Sequence, residues 1–438
     1  MKLEVAVPEM RERVEAWLRA PDQGERVKDN RVRSVHRWNG LYIKRFKTAG
    51  LVQRIRSLLA DRAAHEFRML RALRERGIAA AEPVAWAREG AQTILFTREI
   101  AGAEVLRSRP WTRPLLRQLA RFVRRLHDAG FRHDDLHVGN ILVAGGELTL
   151  VDVHRAALVE ELTRSERVES LAFVALSFYT LVSETDVLRF VREYGADPRE
   201  VYVAFRSARE RYYLDRQSRV RRTGSDFERV DGLILRRPTS AEEARRALSG
   251  PPLRVVKEDA GRRLWLTDPG TFVKEGSGDL WYNAFGLETR GIPTPRLLAC
   301  SGDRVAGRWI EGAVPLWEHF KARGVSRDFL ARLARLVRRM HVRGVYHRDL
   351  KANNLLVRDD EISVVDLDRV DFCREVSRAG RVWNLAQLNA AVGAPVTRTD
   401  RLRFLFAYAG RDRAVRMNWK VWAREIMEKT RARRHVWP

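Results

Sequence analysis

Cysteine and long apolar runs are scarce in this chain of 438 residues. Cys300 and Cys373 are the only cysteines, which excludes a disulfide framework and suits a reducing compartment. The apolar stretch "LAFVALSFYTLV" (171–182) is well short of the roughly 18 residues that a membrane-spanning helix needs. The N-terminus lacks a basic region followed by an apolar core, so we expect no secretory signal. These absences predict a cytoplasmic protein.

Lysine is also scarce, although the chain is strongly basic. Arginine supplies most of the 83 basic residues, and the formal net charge is +26. Both halves of the chain are basic, so a charged tail is not the source. An arginine-rich genome with solvated helix faces would explain the charge. Attraction to an anionic partner, such as nucleotide phosphates, acidic lipid or nucleic acid, is the other explanation, and charge alone does not decide between the two.

The chain contains a long internal repeat. Residues 117–155 match residues 331–369 at a constant offset of 214, with 18 of 39 positions identical and no gap. The same offset pairs "ETDVLRFVREY" (184–194) with "RTDRLRFLFAY" (398–408). A repeat of this length indicates a duplicated domain, because solenoid units repeat every 20–50 residues or so. We therefore predict two domains, at residues 1–228 and 229–438.

Each copy has a strand-rich part followed by a mainly helical part. In the first copy, "SVHRW" and "LYIKRF" are predicted strands on either side of a turn at Asn39-Gly40, with a helix around 55–76. Apolar residues at helical spacing predict a core-facing helix ahead of the polar stretch "FRHDDLHVGNIL" (131–142), and again in the second copy. After this polar loop, "ILV" and "LTLV" predict a short hairpin.

The polar loop has the pattern H-x-D-L-x-x-x-N in both copies, and an aspartate follows twelve positions after the asparagine. The second copy has Lys351 where the first has His137, which argues against a shared zinc site. The predicted hairpin returns Asn140 and Asp152 to one end of the pair, where their oxygens suit a hard cation bridging phosphates. Asp135 in the loop is then placed to accept a proton from a hydroxyl. This set predicts phosphoryl transfer.

Phosphoryl transfer of this kind also needs a strand lysine held by a helix carboxylate. Lys44 in "LYIKRF" and Glu66 in the following helix fit that pair. Lys274 in "GTFVKEG" is the counterpart of Lys44 in the second copy. Exposed positions at a strand edge or on a helix face remain the alternative for these residues, and Lys47 remains a nearby competitor for the role of Lys44.

The chain resembles the bacterial lipopolysaccharide core kinases, the Kdo/heptose kinase group of the protein-kinase-like superfamily. The resemblance rests on the strand lysine, the helix glutamate, "HDDLHVGN" and especially "LVDVHR" (150–155). The resemblance covers both copies. It implies an α+β fold of two tandem protein-kinase-like domains, each with a small β-rich N-lobe and a mainly helical C-lobe. It also implies ATP and Mg²⁺ as cofactors and a sugar hydroxyl of an anionic, lipopolysaccharide-like glycolipid as acceptor. Peripheral contact with the inner face of the cytoplasmic membrane would follow, and no nucleic acid is expected.

The resemblance also implies a role for each site residue. Asp135 is expected to be the catalytic base, Asn140 and Asp152 to bind magnesium, Lys44 to contact ATP, and Glu66 to orient that lysine. In the second copy the corresponding residues are Asp349, Asn354, Asp366 and Lys274. "TREIAG" (97–102) and "RWIEGA" (308–313) resemble the hinge that holds adenine. A protein kinase, an antibiotic phosphotransferase and a nucleotide-binding scaffold without turnover remain open alternatives.

Two departures from the family pattern stand out. Neither copy has a G-x-G-x-x-G run ahead of its lysine, so the cover over the phosphates must come from another segment. In the second copy Leu280 stands at the position of Glu66. We therefore expect Lys274 to lack its ion pair and the second copy to be the weaker or regulatory one.

Overall fold

The computed structural model describes residues 1–29, 33–47, 61–259, 261–393, 395–410 and 412–433. The chain divides into two compact units, Met1–Arg209 and Glu210–Pro438. Helices and sheets are mixed in both units, which confirms the mixed character of the predicted fold. The predicted domain bounds at 1–228 and 229–438 remain a prediction.

The first unit begins with a six-stranded antiparallel sheet in the order β1-β5-β6-β4-β3-β2. The predicted strands β3 and β4 pair across the turn at Asn39 and Gly40, whose positive φ angles of 45° and 75° make a tight reversal. The strands are β1 (Lys2–Val5), β2 (Glu25–Asp29), β3 (Arg33–Trp38), β4 (Leu41–Phe46), β5 (Pro83–Glu89) and β6 (Gln92–Arg98).

Two helices pack on this sheet. Helix α1 (Arg11–Arg19) buries Val14 and Trp17 in an apolar cluster with strand residues such as Ile43 and Phe96. Helix α2 (Arg62–Glu75) packs against β5 and β6. Of the helix predicted around 55–76, the part up to residue 60 lies outside the described residues, and 62–75 is helical as predicted.

The rest of the first unit is mainly helical, with short strand pairs that shape the polar loop. Strand β9 pairs with β10 and β7, and β8 pairs with β11, so the predicted hairpin is present. The strands are β7 (Glu104–Val105), β8 (Phe131–His133), β9 (Ile141–Ala144), β10 (Glu147–Leu150) and β11 (Ala156–Leu158). The helices are α3 (Arg113–Asp128), α4 (Arg164–Phe178), α5 (Glu184–Tyr194) and α6 (Pro198–Ser218), the last of which contains the division between the units.

The second unit repeats this order of elements around a seven-stranded antiparallel sheet, β12-β13-β17-β18-β16-β15-β14. Its hairpin β21–β22 pairs with β19, and β20 pairs with β23. The sheet strands are β12 (Phe227–Val230), β13 (Leu233–Arg236), β14 (Arg254–Asp259), β15 (Arg262–Asp268), β16 (Thr271–Glu275), β17 (Leu297–Ser301) and β18 (Arg304–Arg308). The short strands are β19 (Val314–Pro315), β20 (Val345–His347), β21 (Leu355–Arg358), β22 (Glu361–Val364) and β23 (Val370–Phe372).

The helices of the second unit include the predicted core-facing helix, which buries eight residues along one face. The helices are α7 (Ala241–Ser249), α8 (Leu280–Thr289), α9 (Leu316–Arg323), α10 (Arg327–Val342), α11 (Arg378–Ala391), α12 (Arg398–Ala409), α13 (Arg413–Met417) and α14 (Trp419–Arg431). No helix among the described residues has the length and apolar character needed to cross a membrane.

The glycine before each polar loop is required by a close backbone approach. Gly130 and Gly344 have φ angles of +74° and +72°. A Cβ atom at these positions would lie 2.0 Å from the carbonyl oxygen of Val159 and 1.6 Å from that of Cys373. The same two backbone pairs are joined by 2.9 Å hydrogen bonds. The lack of a side chain at each glycine therefore allows the backbone approach beside the strand pairs β8–β11 and β20–β23.

Candidate functional site

Lys44 and Glu66 form the ion pair that the sequence predicts. Strand β4 carries Lys44, and helix α2, capped by the Asp61 side chain, carries Glu66. Lys44 Nζ donates to Glu66 Oε1 over 2.6 Å, and the glutamate side chain is 1% exposed. The same carboxylate oxygen accepts from the backbone N–H of Val153 at 3.2 Å. The pair thus fixes the helix, the strand and the segment after the hairpin relative to one another.

Asp152 lies next to this pair and attracts further positive groups. Its backbone is left-handed, with a φ angle of 64°. Its carboxylate lies 2.7 Å from an Arg33 guanidinium nitrogen, 3.3 Å from Lys44 Nζ and 2.5 Å from His154 Nδ1. Burial raises the pKa of Asp152, but the hydrogen bond from His154 and the charges of Lys44 and Arg33 outweigh burial and hold the pKa well below its usual range. The carboxylate is therefore ionised near neutral pH.

His133 ties the predicted base to the predicted metal-binding segment. Its Nδ1 accepts from the backbone N–H of Asp135 at 2.9 Å, and its Nε2 lies 3.0 Å from the carbonyl oxygen of Asp152. An accepting Nδ1 leaves Nε2 as the donor, which fits the neutral ring. Burial lowers the pKa of His133, in agreement with that form. The sequence shows this histidine in both copies but does not reveal its structural role.

Asn140 and Asp135 are brought together in the loop as predicted. Asn140 is buried, and its Nδ2 donates to the carbonyl oxygen of Asp135 at 3.1 Å. The backbone carbonyl of Asn140 accepts from the N–H of Val151 at 2.8 Å, next to Asp152. The Asp135 carboxylate is 35% exposed and lies 4.0 Å from an Arg155 guanidinium nitrogen. It is thus accessible to a hydroxyl from outside.

In the second unit Lys274 has an ion pair, which makes the expectation of an unpaired lysine wrong. Strand β16 carries Lys274, whose Nζ lies 2.6 Å from Asp368 Oδ2 and 3.2 Å from Asp366 Oδ1. The prediction failed because it sought the carboxylate on helix α8, where Leu280 lies. Asp368 supplies it from the segment after the hairpin instead. Glu275, the next residue on the strand, pairs with Arg304 at 2.8 Å instead.

The loop of the second unit matches that of the first in most contacts. Asn354 Nδ2 donates to the carbonyl oxygen of Asp349 at 2.8 Å, and His347 Nδ1 accepts from the N–H of Asp349 at 3.2 Å. Lys351, which replaces a histidine, lies 2.9 Å from Asp349 Oδ2. Burial raises the pKa of Asp366, but the nearby charge of Lys274 and its hydrogen bond outweigh burial and lower it.

A cavity of about 530 Å³ joins these residues in the second unit. Lys274, Lys351 and the loop asparagine Asn354 line one part of it, together with Asp366 and Asp368. Apolar side chains line another part. Trp309 and Ile310, from the segment predicted to hold adenine, are among the lining residues. The role of that segment, and of its counterpart at 97–102, stays a prediction.

The donor sets fit a divalent cation such as Mg²⁺. Hard cations take carboxylate and amide oxygens, and Asp152 is ionised while the Asn140 amide nitrogen is the atom engaged with Asp135. In the first unit the ligand atoms of Glu66, Asp152 and His154 also lie within 4.8 Å of one another. Lys44 and Arg33 already neutralise this cluster. These positive side chains compete with a cation for the Asp152 carboxylate, so the fit to Mg²⁺ rests on the oxygen atoms and not on the local charge.

The sequence is related to known proteins over most of its length. The model of the "Lipopolysaccharide kinase (Kdo/WaaP) family" matches residues 10–194 and 286–408. The chain belongs to this family. The family consists of kinases, so the family and the enzyme class predicted from the polar loops are both confirmed.

Individual proteins that are similar to this chain match shorter stretches of it. The lipopolysaccharide core heptose(I) kinase WaaP of Escherichia coli K12 is 36% identical over 95 residues, which is 20% of this chain and 36% of the relative's length. A solved structure of WaaP in complex with acyl carrier protein is 26% identical and matches 45% of this chain and 98% of that one, with a TM-score of 0.34. A choline/ethanolamine kinase family protein from Mesorhizobium loti is 16% identical, with coverages of 48% and 87% and a TM-score of 0.35.

Proposed function

We propose that the chain is an ATP- and Mg²⁺-dependent phosphotransferase that acts on a sugar hydroxyl of a lipopolysaccharide-like glycolipid. One observation supports the proposal most strongly: the carboxylates of Glu66 and Asp152 both contact the ammonium group of Lys44. This contact lies beside the loop that contains Asp135. Family membership supports the kinase chemistry, and the heptose kinase relative supports a sugar acceptor. In this proposal the two units are tandem protein-kinase-like domains.

The roles of the residues follow from their contacts. Lys44 is held by Glu66 and would bind the phosphates of ATP, where a fixed ammonium needs no reorganisation as charge shifts. Asp135 would accept the proton of the acceptor hydroxyl, because its carboxylate is accessible and its backbone is anchored by His133. Asn140 and Asp152 would hold Mg²⁺, which would supply positive charge to neutralise the phosphates.

Arg33 is a further phosphate-binding candidate that the sequence did not reveal. It begins strand β3, and its guanidinium forms an ion pair with Asp152. Lys28 on the paired strand β2 lies within the electrostatic influence of Asp152, Arg33 and Lys44. Cationic side chains on this hairpin would take the part that a glycine-rich loop plays through its backbone N–H groups.

The experiment that tests the proposal is an acceptor screen with radiolabelled ATP. Purified full-length protein is incubated with lipopolysaccharide, its isolated core sugars, a protein substrate and an aminoglycoside. Transfer to the lipopolysaccharide or its core sugars is expected. Transfer only to protein or aminoglycoside would overturn the proposed acceptor.

Asp135→Ala should then lower transfer about 10²- to 10⁴-fold, the usual effect of losing a positioned base. Asp134→Ala is the matched control, because this exposed neighbour is arginine in the second copy and should leave transfer unchanged. A folded Asp135→Ala protein with wild-type transfer would contradict the role of this residue.

A further inference from the structure

The carboxylate that holds the lysine lies in different elements in the two units. In the first unit it is Glu66 on helix α2. In the second unit it is Asp368, two residues after Asp366, with a side chain that is 9% exposed. Its Oδ2 atom accepts from Lys274, whereas its Oδ1 atom is buried with no hydrogen-bond partner among the described residues.

The internal repeat shows that this is an exchange between two positions. The offset of 214 pairs Asp368 with His154, and Leu280 with Glu66. The first unit thus has a helix glutamate and a loop histidine, and the second has a helix leucine and a loop aspartate. Each unit keeps one carboxylate for its lysine in addition to the aspartate that follows the hairpin. Asp368 thus fixes Lys274 beside Asp366, which is how Glu66 fixes Lys44 beside Asp152 in the first unit.

We propose that the second unit binds a nucleoside triphosphate in its 530 Å³ cavity, with Lys274 positioned by Asp368 in place of a helix carboxylate. This inference rests on the proposed kinase function. Lys257, Lys274 and Lys351 supply positive charge for a polyphosphate. Leu297, Ile310 and Leu356 supply an apolar wall for a flat base. A site with both features fits a nucleotide better than it fits a simple sugar or an inorganic anion.

The exchange has a physical consequence for how the site is assembled. Asp366 and Asp368 belong to the same three-residue segment, so the lysine and the predicted metal-binding carboxylate are fixed by one piece of backbone. Asn283 Nδ2 on helix α8 donates to the carbonyl oxygen of Leu367 at 2.7 Å and braces that segment. In the first unit the lysine depends on helix α2 instead. The second site therefore holds its lysine without a carboxylate from helix α8.

The test measures binding of Mg·ATP to the full-length chain by titration calorimetry. Lys44→Ala is present throughout, so that the remaining affinity reports the second unit. Asp368→Asn keeps the shape of the side chain and removes its charge. It should weaken binding about 10- to 100-fold, the range of a charge-assisted hydrogen bond. Asp368→Glu should retain most of the affinity. Asp371→Asn is the control, because Asp371 lies in the same stretch but pairs with the exposed Arg348.

A second arm separates positioning of the lysine from a general structural role. In a chain that already carries Lys274→Ala, Asp368→Asn should weaken binding by no more than about twofold, because contacting residues are not additive. An equal loss in both backgrounds would overturn the proposal, as would absence of nucleotide binding in the Lys44→Ala chain. Neither result touches the proposed function while transfer through Asp135 persists. If the wild-type chain neither binds ATP nor transfers phosphate, the proposed function itself fails.

Discussion

The Glu66 carboxylate accepts from Lys44 Nζ over 2.6 Å and from the backbone N–H of Val153 through the same oxygen. One buried atom therefore links the strand lysine to the segment of Asp152. Its second oxygen is buried and has no hydrogen-bond partner among the described residues. Loss of the Glu66 charge should be destabilising, because Lys44 would stay in a partly buried site with Asp152 as its remaining acidic partner there.

Glu66→Gln should lower both transfer and stability. The amide keeps the size of the side chain but weakens the hydrogen bond from Lys44, so we expect a loss of about 1–3 kcal/mol in the free energy of unfolding. Transfer should fall by at least about tenfold, because the lysine is less well placed over the phosphates. Urea unfolding and transfer assays with saturating acceptor measure the two effects.

Glu75→Gln on the same helix is the matched control, since that side chain is 65% exposed and its contact is a surface pair with Arg71 at 3.7 Å. Its effect should be within about 0.5 kcal/mol, as for most surface changes. If Glu66→Gln and Glu75→Gln change stability and transfer by the same amounts, the buried ion pair does not hold Lys44 in place for phosphate transfer.

The order of elements and the main pair of the first site could be predicted from sequence, because both depend on local pattern. The predicted strand "LYIKRF" contains Lys44, and the helix predicted around 55–76 contains Glu66. The hairpin put Asn140 close to the Asp152 segment because antiparallel register fixes which residues meet. Each of these relationships follows from the pattern of a short stretch of sequence.

Asp368 and Arg33 could not be predicted in the same way. The repeat was read by assuming that each position keeps its role, so Leu280 suggested a lost carboxylate although Asp368 supplies one. Arg33 meets Asp152 across 119 positions of chain, and no local pattern relates two such distant residues. Contacts of this kind follow from tertiary packing, which the periodicity of a sequence does not encode.

Gly130→Ala and Gly344→Ala should be strongly destabilising. A side chain at either position would adopt an unfavourable left-handed backbone and meet a carbonyl oxygen at 2.0 or 1.6 Å. Gly145→Ala is the comparison, because Gly145 has a φ angle of +57° and an added methyl group there would meet nothing within 4 Å. It should cost about 1–2 kcal/mol from the backbone alone. The other two should cost a further 1–3 kcal/mol or so from the forced shift. Equal melting temperatures for Gly130→Ala and Gly145→Ala would contradict the close approach.

The net charge of +26 leads to a prediction about membranes. If the charge serves an anionic glycolipid or lipid surface, the protein should bind vesicles that contain acidic lipid and release them as salt is raised. Screening shortens the reach of charge to about 8 Å at physiological ionic strength. Cosedimentation at 20 mM and 300 mM salt, values chosen to span roughly the range of strong to weak screening, measures the effect. Neutral vesicles are the control. If binding is absent at low salt, or does not change with salt, the net charge reflects composition alone and does not serve membrane binding.

A buried histidine near the end of the core-facing helix should make each unit sensitive to acid. His127 Nδ1 lies 2.8 Å from the Tyr194 hydroxyl, and His341 Nδ1 lies 2.8 Å from the Tyr408 hydroxyl. Burial, helped by the nearby charge of Arg167, lowers the pKa of His127 to about 4. Burial also lowers the pKa of His341 to about 3. Both rings are therefore neutral in the folded protein at neutral pH.

The sign of the pH dependence follows from these pKa values. Between about pH 6.5 and 4 the unfolded chain takes up a proton on His127 and the folded chain does not, so the free energy of unfolding falls as pH falls through this window and levels off below it. The full contribution is about 3 kcal/mol at 1.4 kcal/mol per pKa unit. Urea unfolding from pH 7.5 to 4 should show a shallower slope for His127→Gln, because glutamine takes up no proton. Tyr194→Phe should lower stability but keep the wild-type slope, since the buried ring remains. An unchanged slope in His127→Gln would mean that the folded protein takes up a proton on this histidine over the same pH range as the unfolded chain, so that its pKa is not lowered.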